Sequence, residues 1–516
     1  MQAPQKPTHY GVDNVRRSLK HFALGKGVGG IIGVCWLLLL VRTLSTIDYG
    51  IYVGFVAYLE LFSLLSNLGL APISDRFVPE YRARNDEPRL RALIFKLVSL
   101  RVLVVCLIAA LMATLAQSLA PLLGFGIAPQ AFAIFHIVVV AESIARFVET
   151  IFESLLLQGR SQVSLFLRTG SRLVLVLITL KLHPGDTLEL VHLVVLEAFA
   201  YSGGLVITLG LLWRTQSRLR TALNTSVPLL PLLPLLAFAA PIYGAQIVGS
   251  LIGVDFIKLL VLRTTGPAAA AIFGFCASVV SMLQRYLPSY LLVGMVRPLI
   301  ISAASDPAGG PRINRIVSGI LKLNAMIIGC AISIFLSIGD QLITLLSGGK
   351  FSSGEGYLGI LLLFTLSQTL RAIYGHMALA HGQGRAMLFG QLTGVFVLAL
   401  GALGSLAIGL YGYCVALVVI ELVAFKWIQL TLIALGQAPV IPLRSLGKIA
   451  VLTALGWTIG TGLESIVPHT WPVAQQVAVT TIAVCLFFLI FGNATRVFTQ
   501  EEINSVTRLL PKLARD

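Results

Sequence analysis

Charge is scarce in this chain. Asp, Glu, Lys and Arg make up 12% of its 516 residues, about half the share of a soluble domain. With 57% hydrophobic residues, a soluble enzyme, a disordered protein and a secreted disulfide scaffold are all excluded. The six cysteines (Cys35, Cys106, Cys276, Cys330, Cys414, Cys485) lie in apolar runs, and none forms Cys-x-x-Cys. They read as small core hydrophobes, not as metal or disulfide ligands. No Gly-x-x-x-x-Gly-Lys-Ser/Thr phosphate loop occurs; Ser347-Gly348-Gly349-Lys350-Phe351 lacks both its spacing and its hydroxyl. The eight histidines, such as His183, His376 and His469, have no metal-ligand spacing. No Asp-x-Asp pair is present to hold a metal and a sugar nucleotide, and no connection is long enough to form a catalytic domain. These absences favour transport over catalysis and imply neither a cofactor nor a metal.

What the chain has is apolar length. Segments at about 23–42, 50–72, 97–119, 130–156, 163–182, 189–212, 229–254, 268–292, 318–338, 357–379, 387–408, 412–435, 448–467 and 473–491 are each close to the ~20 residues of a transmembrane helix. Lipid cannot satisfy the backbone of an open strand, and a barrel would show short alternating segments. An all-α polytopic membrane protein of about fourteen transmembrane helices is expected. The N-terminus is basic (Lys6, Arg16, Arg17, Lys20, Lys26), but its apolar run ends at Arg42 without a small-residue cleavage site. The first span is therefore read as uncleaved.

Placing the N-terminus inside puts 27 of the 38 Lys and Arg on cytoplasmic segments, with Arg160, Arg168, Lys322 and Arg297 among them. Five lie outside (Arg42, Lys181, Lys258, Arg263, Lys350) and six within spans (Arg101, Arg146, Arg172, Arg285, Arg371, Lys426). This is the positive-inside pattern, and it puts both termini in the cytoplasm. The net charge of +16 then suits anionic lipid, with no call for nucleic acid.

A basic, proline-rich stretch after Trp213 (Arg214, Arg218, Arg220, then Pro228, Pro231, Pro234) divides the spans. The first span carries Gly29-x-x-x-Gly33 and then Val41-Arg42-Thr43; the seventh carries Gly249-x-x-x-Gly253 and then Leu262-Arg263-Thr264. The match suggests two six-helix lobes related by a pseudo-two-fold along the membrane normal, plus two extra helices. The expected organisation is a lobe at 1–213 (helices 1–6), a cytoplasmic linker at 214–228 and a lobe at 229–436 (helices 7–12). Helices 13 and 14 follow at 437–492, and a cytoplasmic tail at 493–516. Pro241, Gly244, Gly249 and Gly253 are candidate hinge residues of the seventh span, although glycines also permit close helix packing.

Ionisable groups inside spans are costly and are functional candidates. The fourth span places Glu142, Arg146, Glu149 and Glu153 on one helix face. A structural ion-pair ladder and the wall of a wet cavity both fit this pattern. In the second reading Arg146 waits for an anion, and Glu142, Glu149 and Glu153 orient it or exchange H+ or Na+. Arg172 and Arg285 sit nearest the middle of their spans, where snorkelling explains them least, and an Arg fork suits a pyrophosphate. Arg42 and Arg263 are candidate gate residues at the external end. Glu60, Glu197, Arg371, Glu421 and Lys426 are further charges within spans.

The opening of the chain resembles a known family. It reads Val41-Arg42-Thr43-Leu44, Asp48-Tyr49-Gly50-Ile51-Tyr52, Asn67-Leu68-Gly69-Leu70 and Arg76-Phe77-Val78-Pro79-Glu80-Tyr81. These stretches are similar to polysaccharide exporters of the O-antigen flippase type, in the multidrug/oligosaccharidyl-lipid/polysaccharide (MOP) exporter superfamily. Ala240-Pro241 looks like that family's proline-bent helix, and Leu345-Leu346 through Lys350-Phe351 to Tyr357-Leu358 like its fifth external loop, with extra Gly and Ser. The resemblance implies a flippase that carries a polyprenyl-pyrophosphate-linked oligosaccharide across the bacterial inner membrane. It would act for exopolysaccharide, capsule or O-antigen synthesis, by alternating access around a cationic cavity. The implied partners are the lipid-linked oligosaccharide, membrane lipids and the polysaccharide polymerase machinery, with the protein a monomer. Energy would come from H+ or Na+ or from the membrane potential. Lipid II flippases and cation-coupled drug or metabolite exporters of the same superfamily are the alternatives, and a membrane glycosyltransferase or ligase is the alternative of another class.

Overall fold

The computed structural model describes residues 12–183, 188–218, 231–291, 310–381, 383–468 and 470–499. Several sequence expectations lie outside them: Lys6, Arg220, Pro228 and the rest of the linker beyond Arg218, Arg297, His469 and the tail from residue 500.

Among the described residues the chain forms α-helices and one 3₁₀ turn, and no strand. The helices begin with α1 (Val12–Thr43), α2 (Thr46–Leu65), α3 (Leu70–Ala83), α4 (Glu87–Thr114), α5 (Ala116–Leu122) and α6 (Pro129–Ser154). They continue with α7 (Gln158–Leu182), α8 (Leu190–Arg218), α9 (Leu232–Leu251), α10 (Val254–Thr264), α11 (Pro267–Gln284) and α12 (Pro288–Leu291). The last are α13 (Gly310–Ser347), α14 (Glu355–Ala380), α15 (Gly384–Ile408), α16 (Leu410–Ala434), α17 (Leu443–Ile466) and α18 (Val473–Ala494). Among the described residues thirteen helices are long and apolar enough to cross a membrane, and Gly27–Thr43, where the first span is expected, is a shorter apolar helix. The all-α polytopic architecture with about fourteen membrane helices is what the apolar segments predicted.

The chain's punctuation follows local chemistry. Ser45 caps α2 by accepting from the Asp48 amide at 3.0 Å, and Asp86 caps α4 by accepting from the Arg89 amide at 3.2 Å. Pro129 opens α6, where its missing N–H costs nothing. Gly409, at φ +59°, makes the one-residue turn between α15 and α16. Two sequence expectations change here. The segment at 50–72 is not one helix: α2 ends at Leu65, and Leu68 and Gly69 at positive φ turn the chain into α3. The segment at 97–119 likewise breaks at Leu115, between α4 and α5.

By contacts the chain forms two compact units. The first comprises residues 1–250 and 258–270, the second 251–257 and 271–516. The boundaries between them fall at 250/251 and 257/258 in the seventh span and at 270/271 in α11. The seventh span is itself interrupted. It runs as a helix through Pro241, Gly244 and Gly249, stops after Leu251, and resumes at Val254, so Gly253 sits in the break.

In the first unit, α6 is the axis on which α2, α4, α7 and α8 pack. Phe55 of α2 stacks on Phe135 of α6 at 4.9 Å, and the Tyr58 hydroxyl meets His136 Nε2 at 3.0 Å. These contacts fix the register that sets Glu60 beside Arg146. In the second unit, α13 and α17 approach through small residues. The Ser333 hydroxyl is shared between the carbonyls of Gly329 (2.9 Å) and Thr453 (2.8 Å), and the Ser337 hydroxyl between Ser333 (2.8 Å) and Trp457 (3.1 Å). A side chain at Gly456 would begin 2.9 Å from Ser333 Oγ. Gly456→Leu is expected to destabilise the second unit by about 1–3 kcal/mol through overpacking. Thermal unfolding in detergent checks this, and an unchanged midpoint would show that the two helices are not in close contact.

Candidate functional site

Three helix faces carry polar residues at helical spacing and turn toward one another. On α6 these are Glu142, Arg146 and Glu149; on α7, Ser164, Arg168 and Arg172; on α8, Glu197, Tyr201 and Thr208. Glu60 and Tyr52 of α2 complete the group. Arg146 gives its Nε to Glu142 Oε1 at 2.6 Å and its Nη1 to both oxygens of Glu60 at 2.7 and 2.8 Å. The second oxygen of Glu142 accepts from Arg168 Nε at 2.7 Å. Arg168 Nη1 then reaches Glu149 Oε1 at 2.8 Å and the Ser164 hydroxyl at 2.7 Å. Beside this chain, Arg172 Nη1 donates to the Tyr201 hydroxyl at 2.8 Å and to Glu197 Oε1 at 3.2 Å. Tyr52 donates to the same Glu197 oxygen at 2.7 Å, and the Arg172 guanidinium lies 4.3 Å over the Trp36 ring.

Burial grades along the network. The Arg168 side chain is fully buried and Glu142 is 5% exposed, whereas Arg146 and Glu60 are 39% and 36% exposed. Arg146 is thus paired with two carboxylates and still partly exposed. Its bonds use Nε and Nη1, and Nη2 has no protein partner among the described residues. The network holds three guanidiniums against the four carboxylates of Glu60, Glu142, Glu149 and Glu197. Charges this deep persist only when paired and hydrogen-bonded.

The sequence expectations meet this geometry unevenly. Arg146, Arg172, Glu142 and Glu149 do come together, but the arginines are held by carboxylates and are not left as bare cations. Glu142 accepts from Arg146 Nε. Glu149 instead serves Arg168, and Glu153 accepts from the Ser161 hydroxyl at 3.0 Å. Arg285 stands apart. It follows the last residue of α11 and is exposed, in the second unit, so it is not at the middle of a continuous span. Arg42 and Arg263 occupy equivalent places in the last turns of α1 and α10, where a cation meets the helix dipole. Glu421 pairs with Arg371, while Lys426 is exposed and donates to Gln429 at 3.0 Å.

Arg168 is the residue that sequence reasoning missed. Counted as a cytoplasmic charge, it is the most deeply buried member of the network. Its signal was present: Ser164, Arg168 and Arg172 repeat every four residues, much as the charges of the fourth span recur at spacings of four, three and four. Gly204 makes room for it, since a side chain there would strike Arg168 Cγ. Lys322, counted the same way, is also buried, within α13. Arg101 is buried too, but it binds neutral groups at the C-terminal end of α2: Ser63 O at 3.0 Å and Ser66 Oγ at 3.1 Å. It serves as a helix cap.

Comparison with known proteins narrows the reading. A family model described as "Polysaccharide biosynthesis protein" matches residues 17–295. The chain belongs to this family. That stretch includes every member of the ionic network. A search of the curated proteins finds no match. Among solved structures, the lipid II flippase MurJ in an inward closed conformation is similar at TM-score 0.67 and 12% identity, over 92% of this chain and 98% of that one. An inward-facing multidrug resistance MATE family transporter of the MOP superfamily is similar at TM-score 0.56 and 15% identity, over 82% and 95% of the two chains. The Vibrio cholerae MATE transporter VcmN, in a mutant form, is similar at TM-score 0.57 and 15% identity, over 82% and 98%. This member of the polysaccharide biosynthesis family is thus a multi-pass membrane protein with the fold of MOP-superfamily transporters.

Proposed function

We propose that the chain is a flippase for a polyprenyl-pyrophosphate-linked oligosaccharide. It would move this cargo from the cytoplasmic to the outer leaflet of a bacterial inner membrane, with both termini in the cytoplasm, for the synthesis of a surface polysaccharide. The observation that carries the reading is the family match on a chain whose spans share a fold with a lipid II flippase and with a multidrug resistance transporter. The pyrophosphate needs a polar route through ~30 Å of hydrocarbon, whereas the prenyl tail does not. Arg146 suits the head group. Glu60 and Glu142 fix the plane of its guanidinium, and the open Nη2 is left to approach a phosphate oxygen. Arg172, which is 15% exposed, is a second candidate, and Arg285 a third. A proton or Na+ would balance the extra carboxylate of the network and couple its charge to turnover. An inside-negative potential favours outward movement of the anionic head by about 2.3 kcal/mol per charge per 100 mV.

Reconstituted vesicles test this. Lipid-linked oligosaccharides in the membrane should become accessible to an outside reagent without ATP, and faster under an imposed potential of the right sign. Efflux of a fluorescent organic cation without glycolipid movement would establish an exporter instead. Formation of a glycosidic bond in detergent would establish an enzyme.

A further inference from the structure

The second unit contains a polar patch of a different chemistry. Gln368 Oε1 on α14 accepts from the Tyr290 hydroxyl of α12 at 2.8 Å and from the amide nitrogen of Gln284, at the end of α11. One turn further along α14, Arg371 donates its Nε to Glu421 of α16. Gln284, Tyr290, Gln368 and Arg371 are all partly exposed. Gln368 lies about 20 Å along α14 at 1.5 Å per residue, well within the span Ser352–Ala378. Amides exposed at that depth cannot face hydrocarbon, so they face water or cargo.

The bonds within the patch leave a particular set of groups open. Neither amide hydrogen of Gln368, nor the carbonyl of Gln284, nor the terminal nitrogens of Arg371 has a protein partner among the described residues. The patch thus offers open donors on Gln368 and Arg371 and an open acceptor on Gln284. A phosphate only accepts, so it would leave the Gln284 carbonyl unmatched and would meet the negative Glu421. A sugar hydroxyl both donates and accepts, and adjacent hydroxyls fit a guanidinium fork paired with an amide.

We propose that Gln284, Gln368 and Arg371, held by Tyr290 and Glu421, bind the hydroxyl groups of the cargo's glycan. The patch is then the specificity-determining site of the protein. This rests on the flippase reading above, and it assigns to the second unit a task separate from that of the ionic network.

The test uses vesicles holding the lipid-linked oligosaccharide pool extracted from cells that express the chain. Two competitors are added: the glycan released from that pool by mild acid, and undecaprenyl pyrophosphate without sugar. Both should slow the wild-type protein. Gln284→Leu and Gln368→Leu should lose about tenfold or more in glycolipid translocation, as a site that loses a hydroxyl partner does. They should no longer respond to the free glycan, yet should respond to sugar-free undecaprenyl pyrophosphate as the wild type does. Arg371→Lys, which keeps the charge and loses the fork, should fall between. Leucine variants that keep both responses and the wild-type rate would overturn the proposal. So would variants that lose both responses together, because the patch would then be structural. A wild-type protein that moves none of the pool would count against the flippase reading itself. Direct binding of the released glycan, titrated by intrinsic fluorescence, then decides the patch: binding lost in Gln368→Leu supports it, and absent or unchanged binding refutes it.

Discussion

Glu142→Gln is expected to lower the stability of the first unit by about 3–5 kcal/mol, the cost of breaking a buried ion pair from one side. Glu142 gives one oxygen to Arg146 and the other to Arg168. A glutamine keeps one acceptor and turns an N–H toward a guanidinium N–H. Arg168 is fully buried and would keep only Glu149 as a carboxylate partner. Thermal unfolding in detergent is the measurement. The double variant Glu142→Gln with Arg168→Met should recover much of the loss, because no charge is then stranded. If Glu142→Gln melts as the wild type does, ion pairing is not what holds α6 against α7.

Arg146→Ala is expected to abolish glycolipid translocation while the protein still inserts and unfolds near its normal temperature. The two effects separate because of what the arginine leaves behind. Glu60 is 36% exposed and can be hydrated, and Glu142 keeps Arg168. Arg146→Lys preserves the charge and loses the planar fork, so a partial loss of about tenfold is expected. Initial rates in vesicles, at matched protein levels, check both variants. Wild-type translocation in Arg146→Ala and in Arg285→Ala would place both arginines outside the path of the cargo.

Apolar length made the architecture legible in the sequence, because a span advertises itself by some twenty residues in a row. Breaks inside spans were harder to see. The turn at Leu68–Gly69 and the stop after Leu251 replace only a few helical residues within continuous apolar runs, and hydropathy averages over them. The acids of the fourth span announced a polar face because four charges repeat on one helix. Their partners were another matter. Arg168 looked like a loop charge because it lies only ten residues from the start of α7, and depth in a folded unit is not a property of position along one helix. Glu60 and Glu197 each stand alone in an apolar segment, and only the packing of α2 on α6 and of α8 on α7 gives them a partner. The patch around Gln368 was invisible for a related reason. Arg371 and Glu421 stood out as charges within spans, but Gln284, Tyr290 and Gln368 are neutral and spread over α11, α12 and α14, so no composition or spacing rule joins them to that pair.

The serine ladder between α13 and α17 bears on how a chain of this kind could be shortened. The hydroxyls of Ser333 and Ser337 point into carbonyls of the neighbouring helix, and Gly329 lies against Thr453. A chain ended after α16 would not simply lack two helices. It would turn that row of small and polar residues toward lipid, on a helix whose surface was never shaped for it. A twelve-helix version of this chain is therefore expected to be more stable with bulkier apolar residues at 329, 333 and 337, which thermal unfolding of the shortened chain would check.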